Sequence, residues 1–378
     1  MAHRQLTVLM APDSFKGALS ALEVATVLGR GVQRIAGDRV RVIVTPLADG
    51  GEGTSDIALA LGGVKEPGPT VNIYGEPQDN GFWVRWGSRA IVEAAVGSGF
   101  IPESRRKLSA SRTTSLGTGL LIQSAMAHPE IQEVLVALGG SGSTDGGIGL
   151  LAGLGGRFWN AAGSELKPFG HHLSHVADYE VPPPKKPLIG LYDVGVPLLG
   201  ERGSVALFGP QKGLSRDDLP EVERGMKAWA DVVSRKASGA LAEQAGAGAA
   251  GGMGFGILVA KGRLRPGAEA VAEWQGLKAQ IEKSHWVVTG EGRMDAQTEE
   301  GKVATVVIQE AHAAQKPVIA VVGSRARDLT RLHQRGLTLV LPIPTGPMSL
   351  QDAIENTAEL LETVGEEIGW LLLEWESD

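Results

Sequence analysis

Five aspartates stand just after short apolar runs, each in a glycine-rich or polar stretch. Asp13 lies in Ala11-Pro-Asp-Ser-Phe-Lys16-Gly17, Asp49 in Asp49-Gly-Gly-Glu52-Gly-Thr54, and Asp145 closes Gly139-Gly140-Ser141-Gly-Ser143-Thr144-Asp145. Asp193 follows Pro187–Leu191, and Asp295 ends Gly290-Glu-Gly-Arg293-Met-Asp295. A single Asp after a strand is ordinarily the N-cap of the next helix. Five with this much glycine exceed what capping alone explains. Glycine loops bearing Ser and Thr hydroxyls present backbone N–H groups that cradle phosphate oxygens. Gly248–Gly256 divides evenly between that role and tight packing. Lys212, in Phe208-Gly-Pro-Gln-Lys212-Gly213, sets a point charge in a turn within reach of a phosphate. Acidic loops, glycine cradles and scattered cations fit magnesium-assisted phosphoryl transfer, where catalysis is mostly positioning and charge neutralisation.

Other chemistries are excluded or lack support. The chain of 378 residues has no cysteine, which removes disulfides, thiolate metal sites and cysteine nucleophiles. A net charge of −7 argues against nucleic acid or an anionic membrane as the main partner. There is no G-x-x-x-x-G-K-[ST], no protein-kinase catalytic loop, no H-E-x-x-H and no G-x-S-x-G. The apolar run Leu6–Met10 is too short for a leader, and no run approaches the ~18 residues of a membrane span. A cytoplasmic location fits this composition.

The elements that must position these residues follow from periodicity. Leu6–Met10, Val40–Val44, Glu133–Leu138, Pro187–Leu191, His285–Thr289 and Val318–Val322 read as strands buried on both faces. Ser20-Ala-Leu-Glu23 is a capping box opening a helix to about Ile35. Further helices are predicted at Thr54–Leu61, Leu116–Met126, Leu219–Lys236, Lys302–Ala314 and Leu350–Leu372. Such alternation argues for parallel α/β sheets. One region breaks it: strand-like runs from Val71, Phe82 and Ala90, joined by turn signals, predict an antiparallel meander. The sequence therefore predicts an inserted α/β domain over 62–280, with 1–61 and 281–378 forming a discontinuous one, and hinges near 61–66 and 276–284.

These loops resemble those of bacterial type I glycerate kinases. The matching strings are Ala11–Gly17, Leu47–Thr54, Gly139–Gly147, Phe208–Gly213 and Thr289–Asp295, in that order along nearly the whole chain. The resemblance implies an ATP-dependent, Mg²⁺-using kinase for D-glycerate, usually forming 2-phosphoglycerate. It also implies a flavodoxin-like parallel-sheet domain built from both chain ends and a middle domain with a mixed sheet. One position departs from the family pattern Asp-Val-x-Asn-Pro-Leu: Val196 replaces the Asn and cannot make a carboxamide's hydrogen bonds.

With the resemblance in place, roles follow from chemistry. Asp193, then Asp295, is the expected base or orienting carboxylate for the substrate hydroxyl. Arg293 and Lys16 are expected at the substrate carboxylate, with Asp49 also at the substrate. Lys212 and the loop of Gly139, Gly140, Ser141, Ser143 and Thr144 are set against ATP phosphates, and Asp49, Glu52 and Asp145 against the metal. The expected partners are a small hydroxy acid and ATP in an interdomain cleft, with no nucleic acid and no membrane. A homodimer is compatible with the sequence. Two rivals stay open: a kinase for a related hydroxy acid, and a non-catalytic sensor of such an acid.

Overall fold

The computed structural model describes residues 5–295 and 302–375. The first four residues, where the sequence predicts no leader, lie outside that part. Contacts divide the chain into two compact units, residues 1–49 with 268–378, and residues 50–267. The changeovers thus fall at 49/50 and 267/268 instead of 61/62 and 280/281. The reason is packing: helix Thr54–Ala60 rests on strands Phe82–Trp86 and Arg89–Glu93, while helix Leu277–Lys283 rests on strand Leu6–Met10.

The unit made from both chain ends holds five strands, all paired in parallel. Their spatial order is Leu337–Pro342, Val318–Arg325, Trp286–Met294, Leu6–Met10, Val40–Val44. In chain order this reads 2-1-3-4-5, the flavodoxin-like arrangement. Val8, Met10, Val288, Ile319 and Val321 pack with helices Ala21–Ala36 and Thr357–Trp375 in one core. The alternate strand face is covered by helices Leu277–Lys283 and Val303–Ala313. The capping box forms as expected: Ser20 Oγ accepts the Glu23 N–H, and the Glu23 carboxylate accepts the Ser20 N–H at 2.8 Å. The first and last helices cross where Gly31 and Gly365 meet. A Cβ on Gly31 would lie 2.3 Å from the Glu362 carbonyl oxygen.

Three expectations change here. Val40–Val44 is an edge strand with partly exposed side chains, so it is not buried on both faces. The strand expected to stop at Thr289 runs to Met294, because its neighbour also continues and pairs through Met294↔Arg325. The long C-terminal helix is two helices, Leu350–Glu355 and Thr357–Trp375. At the break, the Asn356 carboxamide donates to the Asp352 carbonyl at 2.7 Å, an alternative to continuing the helix.

The middle unit carries a six-stranded mixed sheet ordered Arg263–Pro266, Leu188–Tyr192, Glu133–Ala137, Arg89–Glu93, Phe82–Trp86, Val64–Pro67. The first four strands are parallel and the last two antiparallel. The meander has a different third member from the one expected. Val64–Pro67 pairs with Phe82–Trp86, whereas Thr70–Val71 pairs only with Pro77–Gln78. Asn72 explains this: its side-chain oxygen accepts the N–H groups of Tyr74 and Glu76 and closes the segment as a turn. Trp229 sits at the centre of this unit's core, edge-on to Phe158, Tyr179 and Phe255. Among the described residues no helix is long and apolar enough to cross a membrane.

Candidate active site

In a 2-1-3-4-5 sheet, ligands bind beyond the carboxyl ends of the strands where the order reverses. In the unit of chain ends that point lies between Leu6–Met10 and Trp286–Met294. The N–H groups of Ala11 and Asp13 donate to the carbonyls of Val288 and Gly290 at 2.7 and 2.9 Å. The segment after the first strand therefore keeps following its neighbour. This brings Asp13, Lys16 and Asp49 together with Glu291 and Arg293 around a cavity of about 490 Å³.

The electrostatics there are tense. Burial and the negative charge of Asp49 push the Asp13 carboxyl up to about 7, with Glu291 adding to the rise. The Ser14 N–H, 2.6 Å from Asp13 Oδ1, and the Lys16 cation oppose it. Lys16 Nζ lies 3.9 Å from Asp49 Oδ2, and its side chain is 66% exposed. Arg293 Nε lies 3.2 Å from Asp295 Oδ2. Glu291 and Arg293 share one face of their strand, as residues two apart must.

The middle unit assembles a second group. Lys212 is buried, and its Nζ donates to the Ser143 carbonyl at 2.7 Å. Burial lowers its pKa to about 8, against the charges of Asp145 and Asp193, which raise it. The turn carrying Lys212 is held by Arg106, whose guanidinium donates to the Gln211 carbonyl and, at 3.0 Å, to that of Ile101. Asp193 is half-buried beside Gly139. A Cβ on Gly139 would meet Asp193 Oδ2 at 3.3 Å and the Gly51 Cα at 2.5 Å, so only glycine lets these backbones touch.

The loop from Gly139 to Thr144 is a rigid wall. Its N–H groups are largely committed within the protein: Gly139 to Gly50 O, Gly142 to Ser98 O, Ser143 to Ser141 Oγ and Thr144 to Thr113 Oγ1. Ser141 and Ser143 hydroxyls pair at 3.2 Å, and Gly140 turns through φ +76°. Trp229 Nε1 supports the next turn by donating to Gly146 O at 3.1 Å. Gly251 and Gly252 pack against Ser143 and Gly146 so closely that a Cβ would lie 2.0 and 2.6 Å away. The Gly248–Gly256 run is therefore used for tight packing. Val196 belongs to the same support, its carbonyl accepting the Gly248 N–H at 3.0 Å.

Asp145 stands apart from the other four aspartates. Its fully buried carboxylate accepts from Ser115 N and Oγ and from the N–H groups of Gly147 and Gly149. Burial raises its pKa while these four donors hold it down. Four donors fill a carboxylate's lone pairs, which leaves none for a metal. Glu52 is exposed next to Gly140. Among the described residues no three His, Cys, Asp or Glu side chains form a metal-holding group.

None of the five is the N-cap of the next described helix. Ser20 holds that position after Asp13, and Gly53, Gly147, Gly203 and Lys302 hold it after Asp49, Asp145, Asp193 and Asp295, although Asp145 does accept the first-turn N–H of Gly149. Residues not singled out from sequence also enter these groups: Glu291 and Lys302 at the cavity, Arg106 behind Lys212, and Glu93. Glu93 ends its strand buried, accepts the Ser55 N–H at 2.6 Å, and is pushed up to about 7 by burial. Its place at a strand end is the one sequence signal it offered.

Similarity to known proteins extends over nearly the whole chain. The sequence model of the Glycerate kinase family matches residues 8–373. The chain is 35% identical over 374 residues to the glycerate kinase of Bacillus subtilis (strain 168), covering 96% of this chain and 97% of that one. It is 34% identical over 359 residues to the glycerate 2-kinase of Escherichia coli (strain K12), covering 93% and 94%. The crystal structure of a candidate glycerate kinase 2 from Salmonella typhimurium LT2 superposes with a TM-score of 0.83 at 32% identity, over 99% of this chain and 100% of that one. With a family match from the first strand to the last helix, the chain belongs to the glycerate kinase family and is an enzyme, a kinase.

Proposed function

We propose that the protein transfers the terminal phosphoryl group of ATP to the 2-hydroxyl of D-glycerate, giving 2-phosphoglycerate and ADP. The observation that carries the reading is the pairing in the middle unit of a buried, fixed cation, Lys212, with the strand-end carboxylate Asp193 that acts on its charge. The glycerate hydroxyl oxygen bonds to the terminal phosphorus while the bond to the bridging oxygen of ADP breaks. Asp193 takes the hydroxyl proton, and Lys212 faces the negative charge on the moving phosphoryl oxygens. The Gly139–Thr144 wall holds both groups in place. The name of the Escherichia coli relative, a glycerate 2-kinase, supports the 2-position.

Magnesium fits this chain at Asp13 and Asp49. Burial first, and then the charge of Asp49, raises the Asp13 pKa, and a cation between the two carboxylates relieves the second of these. Two carboxylates with phosphate oxygens and water match the way Mg²⁺ is usually bound beside nucleotides. When bound, it neutralises phosphate charge.

The test is ADP release across a panel of small hydroxy acids, followed by phosphorus NMR of the product. Phosphate on the 2-carbon couples to one proton and gives a doublet, whereas phosphate on the 3-carbon gives a triplet. D-Glycerate should be the best acceptor with a doublet product. A triplet would refute the regiochemistry, and a better acceptor than glycerate would favour a related hydroxy acid.

A further inference from the structure

In the middle unit, one segment touches both the loop of residues 139–144 and the turn that carries Lys212. It follows helix Ala94–Ser98. At its start it is laced to the loop: the Gly142 N–H donates to the Ser98 carbonyl at 2.8 Å, and the Phe100 N–H donates to the Gly140 carbonyl at 2.9 Å. The approach is close, since a Cβ on Gly142 would lie 2.6 Å from the Gly99 carbonyl oxygen. A single 3₁₀ turn, Glu103–Arg105, then leads into Arg106. Arg106 Nε donates to the Ile101 carbonyl at 3.0 Å, and its Nη2 donates to the carbonyl of Gln211, the residue before Lys212.

Two further features seat the guanidinium. Gly213, directly after Lys212, turns through φ +95°, and a Cβ there would lie 2.6 Å from Arg106 Nη1. The centroid of the Phe100 ring lies 5.3 Å from Arg106 Cζ. Both bonds of the guanidinium go to backbone carbonyls, so it fixes chain geometry. A planar fork holds two acceptors at once, which a flexible ammonium does not. Lys212 Nζ is itself bonded to the Ser143 carbonyl, on the loop to which the segment is laced. Turn and loop are thus tied twice, once through the lysine and once through residues 98–106. We infer that residues 98–106 form a brace, and that Arg106 is the positioning residue that sets how deeply Lys212 is held against the loop. Its effect on turnover rests on the reading of Lys212 as the cation facing the phosphoryl group; its effect on the lysine's surroundings does not.

Arg106→Gln and Arg106→Lys test it by two measurements. The first is competitive acetylation of lysines against pH, with the Lys212 peptide read by mass spectrometry, which needs no turnover. The second is kcat and the glycerate KM, with Tm recorded beside them. In the wild type the Lys212 midpoint should lie near 8, where burial lowers it against the charges of Asp145 and Asp193. In Arg106→Gln the loosened turn lets water reach the ammonium, so the midpoint should rise to roughly 9 or above. The kcat should fall by roughly 10–100-fold while the glycerate KM stays within about threefold. Arg106→Lys restores one of the two bonds and should lie between. An unmoved midpoint in Arg106→Gln overturns the brace, whether activity is kept or is lost with a lowered Tm. Should Arg106→Gln fail to fold, an unmoved midpoint in Arg106→Lys overturns it equally. A raised midpoint with unchanged kcat upholds the brace and instead refutes Lys212 as the phosphoryl-facing cation.

Discussion

Lys212 Nζ and the Ser143 carbonyl oxygen are joined at 2.7 Å inside the middle unit, so backbone fixes the cation while the charges of Asp145 and Asp193 act on it. That leaves its charge directed at whatever enters beside Asp193. Lys212→Met should lower kcat by roughly 10²–10³, the usual loss on removing one fixed transition-state donor. Because burial lowers the Lys212 pKa to about 8, the cation is present below that pH and lost above it. Plots of kcat/KM against pH should fall on the alkaline side near 8. In Lys212→Arg, which stays charged, that limb should vanish from whatever activity remains.

Asp193→Asn keeps the size of the side chain and removes its capacity to take a proton. Turnover should drop by roughly 10²–10⁴ with little change in ADP affinity. Asp295→Asn is the comparison, since Asp295 instead pairs with Arg293 at 3.2 Å. A larger loss in Asp295→Asn would exchange the two roles.

Asp13 gives a stability prediction whose sign is fixed. Its carboxyl titrates near 7 in the folded chain against 3.8 when unperturbed. Between those values the folded state binds more protons, so its contribution to stability falls as pH rises from about 4 to about 7. Asp13→Asn should therefore be nearly neutral at pH 4 and stabilising at pH 8, by roughly 1–3 kcal/mol or a few degrees in Tm. Magnesium should raise the wild-type Tm at pH 8 and do so much less in Asp13→Asn. A melting series with no pH dependence in the difference between the two proteins would contradict this account.

Asp145 should behave as an anchor. Asp145→Ala strands the Ser115, Gly147 and Gly149 donors inside the core and should destabilise by roughly 3–5 kcal/mol. The magnesium concentration giving half-maximal activity should not move in whatever folded enzyme remains. A selective change in metal requirement at normal Tm would return Asp145 to the metal.

What could be read in the sequence was set by local periodicity and by glycine. The β-branched runs Leu6–Met10, Glu133–Leu138 and Val318–Val322 became sheet strands because each carries its own pattern. Leu337–Pro342 and Arg263–Pro266 did not announce themselves, since both are short edge strands with partly exposed side chains. The aspartates were visible as a set, but their division was not. Nothing in Gly-Ser-Thr-Asp145 says that Ser115, thirty residues earlier, will occupy the carboxylate. Likewise Asp13 and Glu291 become a crowded pair only once Leu6–Met10 and Trp286–Met294 are side by side. Long-range pairing decides which acids meet, and single-residue spacing does not encode it.

The crossing of the first and last helices at Gly31 and Gly365 has a consequence for synthesis. The first 49 residues emerge from the ribosome long before their partners, which begin at residue 268. At roughly 5–20 residues per second, they wait on the order of 10–40 seconds. During that time Val24, Leu28 and Val32, destined for a core shared with Leu361 and Ile368, have no surface to cover them. Residues 50–267 are by then complete and hold their own core. A nascent chain stalled near residue 300 should thus resist protease over the middle segment while its leading segment is cut. Cellular chaperone demand should track that exposed leader, and moving the chain's start to residue 50 by circular permutation should reduce it.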